Sequence, residues 1–326
     1  MSPQPAGRTV TVLGECVADV FSGPPTGAGP GAGPDALTLR ALPGGGPANT
    51  AVALARLGTP TRFAGRLSRD VFGDLFRTRL ARSGVDLSAC VTAAEASTLA
   101  LADVREGGQA TYSFHAEGTA DWQWSDRELA AATTGGGVCL HTGSLALVRE
   151  PGGPRVEEHL AAARPHTTIS LDPNVRPLLV EPAVYRGRLA RWCGLADILR
   201  LSEEDLAHLL PGTDPAEACD TLHAAGAPLV VVTLGERGAL LSLDGVRTTV
   251  PGRPVRVADT VGAGDSFTAG FLHHLATLGR LGGRLDGLTL DEAADAAAYA
   301  ALVAAHTCRT PGADPPWSHD LSPRRA

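Results

Sequence analysis

Between residues 137 and 233 the sequence alternates short apolar runs with longer mixed ones, and this alternation limits the fold more than any other feature. Strand-like runs fall at 137–141, 167–171, 196–200 and 228–233, with helix-like runs near 154–163, 185–193, 202–210 and 215–225. Parallel strands need a crossover of a dozen or more residues, so this spacing predicts a parallel sheet covered by helices on both faces. The rest of the chain extends the pattern. A first strand is expected in "TVTVLG" at 9–14, a helix over 47–57 between Pro47 and Gly58, a strand near 61–65 and a helix near 70–83. "GALLSL" and "RTTV" predict a late antiparallel hairpin. A short strand is expected at 255–257, and helices at 263–278 and 290–305 close the chain.

A second, smaller sheet is expected beside the α/β core. "ASTLALADVREGGQATYSFHAEG" holds two strand-like runs joined at Glu106-Gly107-Gly108, a hairpin signal. Residues 15–21 and 37–43 supply further strands for it. The Gly/Pro-rich stretch 22–36 between them reads as a flexible loop; its GxG repeats lack the strand-then-helix context of a dinucleotide fingerprint.

Composition excludes several functions. The formal net charge is −7 with no basic run, which gives nucleic-acid binding no electrostatic support. No stretch is apolar for long enough to span a membrane, and the first residues lack a signal-peptide layout. The six cysteines form no CxxC pair, which argues against zinc or a disulfide framework and for a reduced cytoplasm. All 28 basic residues are arginine. A P-loop lysine, a Schiff-base lysine and a protein-kinase lysine are therefore ruled out, and phosphate handling falls to backbone amides, arginine and metal. Ser266 lies outside any GxSxG context, so a serine hydrolase is not indicated.

The motifs with chemical content fall at predicted strand ends, where open α/β sheets bind ligands. In "DTVGAGDSFTAGF" at 259–271, the Gly262-Ala263-Gly264 turn opens a helix whose free N–H groups attract a phosphate. Asp265 would stand beside a transferring phosphoryl group and take the proton of an attacking hydroxyl; a plain helix cap is the other reading. In "LPGGGPANTAVALARLG", Gly44, Gly45 and Gly46 permit close ligand approach, and Asn49 both donates and accepts toward sugar hydroxyls, although a tight turn also explains the glycines. Asp19, after the first strand, suits two neighbouring hydroxyls. Gly235 and Gly238 in "VVTLGERGALL" suit a purine or its phosphates, or a simple hairpin. Arg176 in "LDPNVRP" is a candidate anion clamp. Trp122, Trp124 and Phe114 read as packing residues, and His141, His273 and His274 as core or helix-face residues without metal-ligand companions.

Together these motifs resemble the PfkB, or ribokinase-like, family of sugar kinases over nearly the whole chain, from Val10 to about Pro316. "GGGPANTAVALARLG" is similar to the family's N-terminal signature and "DTVGAGDSFTAGF" to its C-terminal one; "LDPNVRPLL", "LSEEDL", "VTLGERGA" and "CRTPGA" follow in the family's order. The resemblance implies one kinase domain over 1–326: a Rossmann-like αβα sandwich with a β-sheet lid from about 15–44 and 96–118. It implies ATP with Mg²⁺, and K⁺ as in some relatives. By the same resemblance Asp265 is the catalytic base and Gly262, Ala263 and Gly264 the anion hole. Asp19, Gly45 and Asn49 hold the sugar. Thr233, Gly235, Gly238, Ala305 and Gly312 line the nucleotide pocket. The family's Asn-x-x-Glu is here Ser202 to Asp205, which leaves Asp205 as a metal residue acting through water. The wording resembles the fructokinase branch in particular, so transfer to the 6-hydroxyl of D-fructose is expected. A 2-keto-3-deoxygluconate kinase using Arg105 or Arg176, a nucleoside kinase and a non-catalytic sugar- or nucleotide-binding protein are the alternatives. A homodimer through the lid is a further expectation.

Overall fold

Strands buried on both faces need apolar residues at every position, and the central strands have them. In "LVVVT", Leu229 and Val231 point into one core while Val230 and Val232 point into the other. The structure is a computed structural model and describes residues 8–22, 37–104, 110–134 and 136–321. The loop from 23 to 36, the Glu106-Gly107-Gly108 turn and Arg105 lie outside the described residues.

In chain order the elements begin with β1 (Val10–Leu13), β2 (Val17–Ser22), β3 (Leu39–Gly44), α1 (Gly46–Leu57), β4 (Thr61–Ala64), β5 (Arg66–Ser68), α2 (Val71–Arg82) and β6 (Val91–Ala93). Next come β7 (Thr98–Val104), β8 (Ala110–His115), α3 (Asp126–Ala132), β9 (Cys139–Gly143), α4 (Gly152–Ala163), β10 (Thr168–Asp172), α5 (Pro182–Leu195), β11 (Ile198–Ser202), α6 (Glu203–Leu209) and α7 (Pro215–Ala224). The last are β12 (Leu229–Thr233), β13 (Ala239–Leu243), β14 (Val246–Val250), α8 (Ala263–Thr277) and α9 (Leu290–Thr307).

The main sheet runs β14-β13-β12-β11-β10-β9-β1-β4. Its strands are parallel from β4 to β12, and β13 and β14 form the expected antiparallel hairpin. Helices α1, α2, α8 and α9 cover one face and α3 to α7 the other. Each fully buried Val or Leu in these layers contributes roughly 1.5–3 kcal/mol. Strand order reverses between β1 and β9, so a crevice opens beyond their carboxyl ends.

The second sheet, β3-β2-β7-β8, pairs β2 with β7 in parallel and its outer strands antiparallel. Ala18 and Val20 of β2 pack onto the core, with Leu99 and Leu101 of β7 against it; Asp19 and Ala100 face the crevice. Buried Asp121 ties the sheet down, accepting from Cys16 N at 2.9 Å and from Thr98 Oγ1 at 2.6 Å. Burial pushes its carboxyl up to about 6, against those bonds.

Three local features differ from expectation. Residues 255–257 form no strand; Pro254 cannot donate to a ladder, and Ala258 N instead bonds Cys308 O at 2.8 Å. Strands β5 and β6 form a separate parallel pair. Each has three residues, too few to show a period. Helix α3 was not anticipated, although Ser125 and Glu128 close a reciprocal capping box at its start.

Asp70 joins the two sheets' connections. Its Oδ1 accepts from Phe72 N at 3.1 Å and Gly73 N at 2.9 Å, capping α2, and Ser97 N donates to Oδ2 at 2.8 Å just before β7. Burial raises this carboxyl's pKa, but the bonds from Ser97 and Gly73 outweigh burial and leave it below its ordinary value. Asp70→Ala is expected to cost about 1–2 kcal/mol in urea unfolding. A lowered folded pKa means that the wild-type advantage is complete above the ordinary aspartate value and fades as pH falls through the folded one. An equal advantage at pH 2 and pH 7 would contradict this account.

Candidate active site

The crevice at the β1/β9 reversal is a cleft of about 610 Å³. Two helix tips point into it, and neither has a side-chain cap. Gly45 precedes α1 at φ +99°, where a Cβ would lie 2.6 Å from Glu15 O. Gly262 precedes α8 at φ +76°. Ala263 N turns back to Thr260 O, and the remaining free N–H groups of that first turn give the tip its positive end.

Asp265 is in the first turn of α8, but it does not cap the helix. Its Oδ2 instead accepts from Asn49 Nδ2 at 2.9 Å, across 216 residues of sequence. This contact joins the two Gly-rich motifs. Burial pushes the Asp265 carboxyl up to about 6; Asn49 opposes the rise, Asp172 adds to it, and Arg176 and Arg200 oppose it. The Asn49 Oδ1 is buried without a partner among the described residues.

Opposite stands Asp19, raised to about 6 by burial against the pull of Arg176 and Arg79. Gly44 makes room for it: a Cβ there would fall 2.2 Å from Asp19 Oδ2. Arg176 lies exposed at the mouth of the cleft. Phe114 lines the cleft, whereas Trp122 and Trp124 are buried packing residues, as expected. His141 is buried and bonded to Ser170 Oγ at 3.0 Å, and His273 meets Thr59 Oγ1. Among the described residues no cluster of three or more His, Cys, Asp or Glu is arranged to hold a metal.

Ser202 and Asp205 open α6 as a reciprocal capping box. Asp205 Oδ2 accepts from Ser202 N and Oγ, and Oδ1 accepts from Val175 N at 2.7 Å. Asp205 lines the cleft next to exposed Glu204. Its position three residues after a serine is a capping signal readable in the sequence.

The residues expected to line a nucleotide pocket are more scattered. Thr233 Oγ1 accepts from Arg200 Nη2 at 2.7 Å, one strand away from the cleft floor. Gly235 has φ +60°. Gly238 packs on the chain's own backbone, since a Cβ would meet Val250 O at 2.0 Å. Gly312 N donates to Asp259 Oδ2 at 2.7 Å, which brings the "CRTPGA" turn against the loop that enters α8. Ala305 is half-buried on α9.

Sequence reasoning missed Glu15 and Arg200, both buried and both lining the cleft. Glu15 follows the first apolar strand directly, and Arg200 interrupts the apolar run "ADILRLS". A charge in a strand buried on both faces is the signal that would have found Arg200. Burial pushes the Glu15 carboxyl up to about 7, partly offset by a hydrogen bond from Ser144.

The pfkB family carbohydrate kinase model matches residues 8–319. The fructokinase of Rhizobium leguminosarum bv. trifolii is 39% identical over 236 residues, covering 71% of each chain. A fructokinase from Xylella fastidiosa solved with bound ATP superposes with a TM-score of 0.81 at 27% identity, covering 94% of both. The fructokinase of Vibrio cholerae O395, in its fructose, ADP and calcium ion bound form, gives 0.78 at 27% identity and covers 95% of both.

The Asn49–Asp265 bond favours the ionised acid. Asn49→Ala is therefore expected to raise the Asp265 pKa above about 6. Carbon-13 titration of the Asp265 carboxyl would show this, and an unmoved or lowered midpoint would contradict the bond's role.

Proposed function

This chain belongs to the pfkB family of carbohydrate kinases and is an ATP-dependent sugar kinase, and on that premise we propose that it transfers the γ-phosphoryl group of ATP to the 6-hydroxyl of D-fructose. Fructokinases among its relatives and structural neighbours support the choice of acceptor. The observation that carries the mechanism is the half-buried Asp265, held by Asn49 beside an uncapped helix tip.

In this reading Asp19, Gly45 and Asn49 hold the sugar, and Asn49 Oδ1 gains the hydrogen bond it lacks. Asp265 accepts the proton of the attacking hydroxyl. The free amides around Gly262, Ala263 and Gly264 take the charge that builds on the phosphoryl group. The β3-β2-β7-β8 sheet acts as the lid, closing over the sugar and excluding water from ATP. Thr233, Gly235, Gly238, Ala305 and Gly312 surround the nucleotide side.

Mg²⁺ fits the charge of the cleft. Five acids line it (Glu15, Asp19, Glu204, Asp205 and Asp265) against two arginines. A bare polyphosphate would be repelled there, and a divalent ion on the phosphates supplies the missing positive charge. Such an ion keeps most of its waters. Asp205 Oδ1, with one hydrogen bond, retains a lone pair for a water-bridged contact. K⁺ is proposed as an additional activating ion. A homodimer through the lid and a cytoplasmic location complete the proposal; all six cysteines are free, and no helix among the described residues is long and apolar enough to cross a membrane.

Two results test this. Asp265→Asn should lower kcat by about 10²–10⁴-fold while sugar binding persists. In the wild type, kcat/KM should fall about tenfold per pH unit below about 6, because a base must be ionised to act. A full-rate Asn variant would remove Asp265 from the chemistry. An ADP-release screen over fructose, 2-keto-3-deoxygluconate, ribose, tagatose and adenosine, with and without Mg²⁺ and K⁺, tests the acceptor. Arg176 at the cleft mouth makes the acidic sugar the competitor, and a higher kcat/KM for it than for fructose would overturn the assignment.

A further inference from the structure

The deepest cation in the cleft has no part in the mechanism above. Arg200 projects from β11 and is 7% exposed. Its Nη1 donates to Asp172 Oδ2 at 2.8 Å on β10, and its Nη2 to Thr233 Oγ1 at 2.7 Å on β12. The same Asp172 oxygen accepts from Thr268 Oγ1 of α8 at 3.3 Å. Partners from two neighbouring strands thus fix the guanidinium and α8 steadies one of them, while the Arg200 Nε is buried without a partner among the described residues. The group lies against the first turn of α8. A Cβ on Gly264 would sit 3.0 Å from Nη2 and 3.1 Å from Nη1, so the absent side chain at Gly264 gives the guanidinium its place.

We propose that Arg200 is a positioning residue for phosphoryl transfer: clamped by Asp172 and Thr233, it sets a fixed positive charge beneath the α8 tip, against which the phosphoryl group and the Asp265 carboxylate are held. The proposal rests on the reading of Asp265 as base. Arg176 also lowers the Asp265 pKa, but it lies exposed at the cleft mouth, where water screens and loosens a charge. Buried Arg200 acts in a low dielectric and needs no reorganisation when phosphoryl charge develops. The groups around it are consistent with a permanent cation. Burial disfavours its charge, but Asp172, Asp205 and Asp265 more than compensate. His141, facing it from β9, is pushed down to about 3 by burial and by Arg200, so it stays neutral through the working range. Asp265 itself faces Asn49, Asp172, Arg176 and Arg200.

The test compares Arg200→Met, Arg200→Lys and the double variant Asp172→Asn/Arg200→Met. The double variant avoids leaving Asp172 buried without its partner. Both methionine variants should lose about 10²–10³-fold in kcat. In Arg200→Met the acid limb in kcat/KM should also move to higher pH, because a positive charge next to Asp265 is gone; in the double variant the loss of Asp172, which raises Asp265, offsets that shift, so it is read by kcat. Arg200→Lys keeps the charge, so the limb should stay in place while kcat falls less. A merely structural residue would not move the limb according to charge. A folded Arg200→Met with the limb unmoved, or a folded double variant with kcat within threefold of wild type, would overturn the proposal; so would a limb that moves as far in Arg200→Lys as in Arg200→Met. Should neither methionine variant fold, the lysine variant decides: a shifted limb overturns the idea and an unshifted one with reduced kcat supports it. Failure of the base reading would be seen separately, as full turnover in Asp265→Asn.

Discussion

One hydrogen bond joins the halves of this molecule that matter for chemistry. Asn49 Nδ2 donates to Asp265 Oδ2, and through it the tip of α1 and the tip of α8 become one site. The geometry also fixes the asparagine's orientation. Turned over, its carbonyl would face a carboxylate, so the amide must point to Asp265 and leave Oδ1 for another donor. The glycines on either side serve the same end. Gly46 is an example: a Cβ there would press on Asn174 Nδ2 at 2.8 Å and touch Asp265 Oδ1 at 3.3 Å. The space next to the acid is kept open by missing side chains.

How much of this could be read beforehand follows from the range of each signal. The main sheet was legible because its strands are buried on both faces and its helices fall at crossover spacing, both local properties of the chain. The small sheet was legible for a similar reason, since Asp19 and Ala100 alternate with core residues along β2 and β7. The acid at the α8 tip was legible from glycine placement. Its partner was not derivable from spacing, because nothing local couples position 49 to position 265. Arg200 was overlooked although it stood in plain view; its partners, Asp172 and Thr233, come from two other strands, and only register brings them together. The strand expected at 255–257 does not form, because the chain there pairs with the end of α9, Ala258 N bonding Cys308 O, and not with a sheet neighbour.

The cleft holds more negative charge than the fold alone would favour. Glu15 is raised to about 7 and Asp19 and Asp265 to about 6, each chiefly by burial. An acid whose folded pKa lies above its unfolded value takes up protons on folding. Its contribution to stability is therefore complete below the unfolded pKa and is lost as pH rises through the folded one. For these three groups the loss falls between roughly pH 4 and pH 7. At neutral pH the protein without ligand thus carries several ionised acids in a poorly solvated place.

That cost is what gives ligands their leverage. A hydroxyl donating to Asp19 or Asp265, or a cation carried in on phosphates, stabilises the ionised form that burial opposes. Part of the binding free energy is then relief of a strain already present in the protein. The fixed cations supply only part of this relief: Arg176 and Arg200 lower the Asp265 pKa, yet burial still leaves it raised. Arg200 is committed to Asp172 and Thr233, and Arg176 is exposed to solvent. The charge deficit must therefore be made up by what binds, which couples sugar and nucleotide through electrostatics.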